Sequence, residues 1–250
     1  MRRVLARAGY DLVRRPSGDA LAETHPDLDR RFDELMRRCG PYTMTSVERL
    51  YALWEAVRHI DAAAIDGDVV ECGVWRGGSS MLAALTLLQN GTSDRHLWLY
   101  DTYEGMSEPT ERDFGPDGQP VTELWDKHRD DKGSELLCWA SLDDVRANVG
   151  TTGYQAERIS YIRGKVEDTI PEAIPEQIAL LRLDTDWYES TRHELEHLYP
   201  RLRPGGVLIL DDYGFWRGAR DAVDEYLREQ GVQLLLNRVD DCGRMAIKPA

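Results

Sequence analysis

The stretch DVVECGVWRGGSS, residues Asp68–Ser80, decides the fold. Its first residues are apolar enough for a buried strand, Gly73, Gly77 and Gly78 supply a tight turn, and an Ala- and Leu-rich helix follows to about Leu88. Strand, glycine loop and helix open a βαβ unit. Downstream, four more strands are predicted at His96–Tyr100, Ile159–Arg163, Ile178–Leu183 and Gly206–Leu210, the last after a Pro204-Gly205-Gly206 turn. Helices fit over 135–148, 189–202 and 216–230. This alternation predicts an α/β fold with a mostly parallel, doubly wound sheet. Val232–Val239 and Met245–Lys248 are too close together for anything but an antiparallel hairpin, which would close the sheet.

Upstream, residues 1–62 read as helices over 2–14, 26–39 and about Ser46 to Ala63. Ser46 can cap the third, whose stripe is Leu50, Leu53, Trp54 and Val57. The expected division is a helical extension and lid over 1–62 and a sheet domain over 63–250. Within the latter, 103–133 is polar, rich in Gly and Pro, and starts just past the second strand, so it reads as a lid or acceptor loop. Leu5, Leu12, Val13 and Phe32 have no evident home in the sheet. A homo-oligomer that buries them between subunits is expected.

The 250 residues carry 31 basic and 45 acidic side chains, a net charge of −14. That field argues against nucleic acid and favours a cationic ligand or divalent metal. No apolar run is long enough for a membrane span. Cys39, Cys72, Cys138 and Cys242 form no C-x-x-C pair, so a zinc knuckle and a redox dithiol lack support. The start, MRRVLARAGYDLVRR, is too interrupted by charge for a signal peptide, and a cytoplasmic location is expected.

Two constellations carry chemistry. The first is the glycine loop with Glu71 at the end of its strand and Asp101 at the end of the next. A glycine loop alone also fits an ordinary tight connection. A buried acid such as Glu71, however, needs a partner, for example a ligand ammonium, and Asp101 is placed to accept from ribose hydroxyls. A dinucleotide would need G-x-G-x-x-G, whose second glycine is here Trp75, and an acid about 20 residues on, whereas Asp101 lies 28 beyond Gly73. S-adenosylmethionine (SAM), with an amine and a sulfonium and no phosphate, suits the loop better.

The second constellation is Asp184 and Asp186 after the fourth strand and Asp211 and Asp212 after the fifth. Ligands of doubly wound sheets bind at these carboxyl ends. Four converging carboxylates would repel one another unless a cation joined them, and hard oxygen donors suit Mg²⁺, with Mn²⁺ or Ca²⁺ also possible. The plain alternative is helix capping. His193 and His197 read as a solvated helix face, and His128 as a possible acceptor contact. Tyr103, Trp125, Tyr188, Tyr213, Phe215 and Trp216 offer faces for an acceptor pocket or for the core.

The runs VVECGVWRGGSS (69–80), LYDTYEGM (99–106), LRLDTDWYES (181–190), LYPRLRPGGVLILDDYGFWRGARDAVDEY (198–226) and YTMTSVERLYALWEAV (42–57) resemble the macrocin O-methyltransferase family. The resemblance implies a Rossmann-like, class I SAM-dependent fold that methylates a sugar hydroxyl of a glycosylated natural product with the help of Mg²⁺. It implies metal ligands at Asp184, Asp211 and Asp212 and a general base at Asp186. The cofactor would be held by Glu71, Gly73, Val74, Trp75, Ser79, Ser80 and Asp101, with Thr43, Met44 and Thr45 folding over it. Adenine contacts fall on Ser141, Leu142, Gly164 and Lys165, where Lys165 replaces the small or acidic residue expected. A metal-dependent enzyme acting on a phenol or catechol hydroxyl is the alternative.

Overall fold

The computed structural model describes residues 24–250, so the helix read over 2–14 lies outside the described residues. Asp29 caps α1 (Arg30–Cys39) through Arg31 N, and Ser46 caps α2 (Val47–Ala62) through Arg49 N. The α2 stripe Leu50, Leu53, Trp54 and Val57 is buried, and so is Phe32 of α1, whose ring meets Tyr51 edge-on at 5.1 Å. Phe32 therefore has a home within the chain, contrary to the expectation that it needs a second subunit.

After these come β1 (Asp68–Cys72), α3 (Gly78–Asn90), β2 (Leu97–Asp101), α4 (Thr122–His128), α5 (Leu142–Gly150), β3 (Ile159–Arg163), the single turn α6 (Val166–Thr169) and β4 (Ile178–Leu183). The chain ends with α7 (Tyr188–Leu198), β5 (Leu202–Leu210), α8 (Arg217–Glu229), β6 (Asn237–Arg238) and β7 (Arg244–Ile247). The sheet order is β3-β2-β1-β4-β5-β7-β6. β1 to β5 pair in parallel, β7 runs antiparallel to β5, and β6 pairs antiparallel to β7. Alternate strand residues face two cores. Val69 and Leu180 join the layer of α1, α2, α3 and α5, while Val70 and Leu181 join that of α7 and α8. The order of strands reverses between β1 and β4, which opens a cleft at their carboxyl ends.

Four segments differ from the sequence reading. β5 begins at Leu202 and passes through Pro204-Gly205-Gly206, because a register shift against β4 absorbs Gly205 at φ 82 as an irregularity within the strand. The helix expected over 135–148 is a 3-10 turn at Glu135–Leu137 followed by α5. Cys138 at φ 45 breaks it, and Ser141 starts the new helix by accepting from Asp144 N. The strand expected at Val232–Val239 shrinks to β6. Val232, Leu234 and Leu236 do alternate into the second core, but as extended chain with no ladder partner, so their period of two reports packing alone. The 103–133 loop contains α4 and a Phe114–Pro120 bridge, and buried Asp113 ties it to the body by accepting from Tyr188 N at 2.8 Å.

Candidate active site

One cavity of about 560 Å³ lies over the carboxyl ends of β1, β2, β4 and β5. Thr43, Met44, Thr45, Glu71, Gly73, Val74, Trp75, Ser79, Asp101, Gly164 and Lys165 line it, as do Asp184, Asp186, Asp211 and Asp212. Three expected cofactor residues do not. Ser80 sits behind the wall and donates to Glu71, Ser141 is occupied as the cap of α5, and Leu142 packs against the first core. His128 and the pair His193–His197 also lie outside the lining. Among the aromatics singled out in the sequence, Phe215 and Trp216 reach the cavity, joined by Trp187.

At the glycine loop, Gly73 takes φ 83, and a Cβ there would stand 1.9 Å from the Asp184 carbonyl oxygen, so only glycine fits. Asp101 holds the loop. Its carboxylate accepts from Val74 N at 2.7 Å, Trp75 N at 2.9 Å and Tyr103 N at 2.7 Å. Burial raises the pKa of Asp101, and those three N–H groups oppose the rise. Glu71 has a cation of its own in Arg182, whose Nη1 donates at 2.7 Å. The partner that the sequence reading sought in a ligand is therefore supplied by β4. Burial raises the Glu71 pKa, with Arg182 and Ser80 pulling against it.

Arg182 is 2 % exposed and extends past Glu71. Its Nη2 donates to Thr45 Oγ1 at 3.2 Å and lies 2.7 Å from Asp184 Oδ2 and 2.9 Å from Asp211 Oδ1. Asp211 is also paired with Arg49 of α2, whose Nε reaches Asp240 of the hairpin tip at 2.9 Å. Burial alone would raise the Asp211 pKa, but the two guanidiniums hold it below the ordinary range. Ser46 also donates to Asp240, at 2.6 Å, so the tip is braced against the start of α2.

Asp184, Asp186 and Asp212 each present an oxygen, all within 4.8 Å of one another. Burial pushes Asp184 and Asp212 well above the usual carboxylate range. It raises Asp186 to about 7, with the Asp184 charge adding to the effect. Asp186 sits at φ 67, a left-handed conformation uncommon outside glycine, and Asp212 Oδ2 is buried without a hydrogen-bond partner. An all-carboxylate donor set with an orphaned buried oxygen fits a hard divalent cation. Asp211 stands beside this trio, its carboxylate engaged by the two arginines.

Arg49, Arg182 and Asp240 were missed in the sequence. Arg182 left a signal, as a lone charge inside the buried run IALLRL that had to find acids. Arg49 and Asp240 left none, since an arginine on a helix and an aspartate in a turn are ordinary.

A family described as Macrocin-O-methyltransferase (TylF) matches residues 4–246. An 8-demethyl-8-(2,3-dimethoxy-alpha-L-rhamnosyl)-tetracenomycin-C 4'-O-methyltransferase from Streptomyces olivaceus is 37% identical over 221 residues, covering 87% of this chain and 80% of the relative. The structure of the O-methyltransferase NovP superposes with a TM-score of 0.73 at 31% identity, covering 84% of this chain and 83% of that one. An O-methyltransferase from Bacillus cereus in complex with SAH (S-adenosylhomocysteine) shares the fold alone, with a TM-score of 0.53 at 13% identity over 92% of this chain and 96% of that one.

Proposed function

The chain belongs to the macrocin O-methyltransferase family, and from that premise we propose that it moves a methyl group from SAM to a sugar hydroxyl of a glycosylated natural product, as an antibiotic-tailoring step. Its membership makes it an O-methyltransferase with a SAM-dependent fold. The sugar acceptor, the metal and the residue roles are the proposal. The observation that carries it is the trio Asp184, Asp186 and Asp212, gathered with a partnerless oxygen at the strand ends where the cavity is deepest in acid. No helix among the described residues is long and apolar enough to cross a membrane.

Asp184 and Asp212, with Asp211 beside them where Arg49 and Arg182 already engage its carboxylate, would hold a divalent cation, Mg²⁺ first, which would supply the Lewis acidity that eases deprotonation of a sugar hydroxyl. Asp186 takes that proton as general base. The hydroxyl oxygen bonds to the methyl carbon, the carbon–sulfur bond breaks, and its electron pair stays on sulfur to leave SAH. Glu71, Asp101 and the Gly73–Trp75 loop hold the donor, and Thr43, Met44 and Thr45 cover it. Alignment and exclusion of water supply much of the acceleration, since opposite charges merge in this transfer.

The test is methyl transfer from SAM to a panel of glycosides, read by mass spectrometry before and after EDTA. Methylated glycosides are expected, with activity lost on EDTA and restored by Mg²⁺. Full activity after EDTA would overturn the metal assignment. Transfer to catechols and to no glycoside would overturn the sugar assignment.

A further inference from the structure

The cavity has an aromatic wall to which methyl transfer as described assigns no task. Trp187 follows Asp186 directly. Phe215 and Trp216 are placed by a tight turn in which both backbone N–H groups donate to Asp212 O at 3.0 Å. Met106, within the 103–133 loop, and Leu136, just after it, pack against the same cluster and line the cavity. Trp187 and Trp216 are 3 % and 7 % exposed, so they form the back of the wall, whereas Phe215 is half-buried and borders the cavity. Trp216 is also within hydrogen-bond reach of the Asp186 carboxylate, which joins wall and acid cluster into one unit.

The rings meet at steep angles. Phe215 and Trp216 are 4.8 Å apart at 89°, and Trp187 and Trp216 are 5.1 Å apart at 65°. Such edge-to-face packing makes a corner and not a slot with two parallel faces. A planar phenol is gripped best in a slot. A chair pyranose suits a corner, because it offers one C–H face for stacking and a rim of hydroxyls that turns toward the neighbouring carboxylates.

We propose that Phe215 is the specificity-determining residue for the acceptor, its ring being the floor on which the C–H face of the sugar rests with its hydroxyl edge toward Asp186 and Asp212. This rests on the sugar reading above, and its test can fail separately. The probes are methyl 6-deoxyhexopyranosides and catechol, titrated by ligand-observed NMR into full-length protein loaded with SAH and Mg²⁺. In the wild type, saturation transfer is expected to concentrate on the ring C–H protons of one pyranoside face. Phe215→Ala should weaken pyranoside binding roughly three- to tenfold, the range for loss of one aromatic contact, and Phe215→Tyr should restore it. SAH affinity should not follow either change.

Unchanged pyranoside affinity in Phe215→Ala overturns the proposal, as does a parallel loss of SAH affinity, which would mark Phe215 as a packing residue. Absence of pyranoside binding, or tighter binding of catechol, overturns it as well. If Phe215-dependent binding holds while no glycoside is methylated, the sugar-methylation reading fails and the binding floor stands.

Discussion

The two ends of the cavity handle negative charge in opposite ways. At the glycine-loop end each carboxylate has donors from the chain itself: Glu71 has Arg182 and Ser80, and Asp101 has three backbone N–H groups. At the other end Asp186 and Asp212 face each other with a buried oxygen unpartnered, and both are pushed toward the protonated state, chiefly by burial. The first end is complete before any ligand arrives. The second is short of positive charge, and a ligand cation would remove that deficit. Arg182 and Arg49 mark the boundary, since both neutralise Asp211 and neither reaches Asp212.

The comparison can be broken most forcefully at Asp186, the proposed base. Asp186→Asn is expected to slow turnover by about 10²–10⁴-fold with metal affinity nearly intact, and its residual rate should rise with added alkali. Asp211→Asn should be rescued by high Mg²⁺ instead. Rescue of Asp186→Asn by Mg²⁺ in steady-state assays would make Asp186 a ligand. Next in size, Arg182→Met leaves buried acids uncompensated at the completed end and should cost about 3–5 kcal/mol in denaturant unfolding. Asp212→Asn removes one charge from the crowded end and should leave the metal-free protein as stable or more so. Equal losses in the two variants would erase the distinction.

Asp101→Ala should weaken SAM by about 1.5–3 kcal/mol in calorimetry, since charged hydrogen bonds that shape the loop are lost. Unchanged affinity would show that the loop holds without it. The smallest effect concerns Glu194, fully buried behind the acid-rich end. One of its oxygens accepts from Thr185 at 3.2 Å, and the other is unpartnered. Burial raises its pKa well above 4.5, so the folded state binds a proton that the unfolded state releases. Its contribution to stability is present below that unfolded value and is lost as pH rises through the folded one. Glu194→Gln should therefore flatten the fall in unfolding free energy above pH 5, by on the order of 1 kcal/mol, in denaturant melts across pH. An unchanged pH profile would place the titration elsewhere.

Much of this was readable in the chain. β3 and β4 fall where apolar runs predict them, and the β1 loop fits because Gly73 and Gly77 need positive φ. Asp184, Asp186 and Asp212 converge because strand ends in such a sheet must. What escaped depended on partners distant in sequence. Val232–Leu236 has the period of a strand but no neighbour to pair with, and Cys138 ends a helix that composition would continue. The engagement of Asp211 was hidden too, because it requires an arginine 162 positions away.

One contact bears on how such an enzyme can be redesigned. With a Cβ excluded at Gly73 by the Asp184 carbonyl, and Asp184 N donating to Cys72 O at 2.9 Å, the donor loop and the acid-bearing loop share a seam with no slack. Chimeras that exchange either loop alone would import a mismatched half of that seam. Phe215 lies off it, on the turn after β5, so altering the acceptor range by mutation should start there, with the two seam loops, Trp187 included, inherited from one parent as a single block.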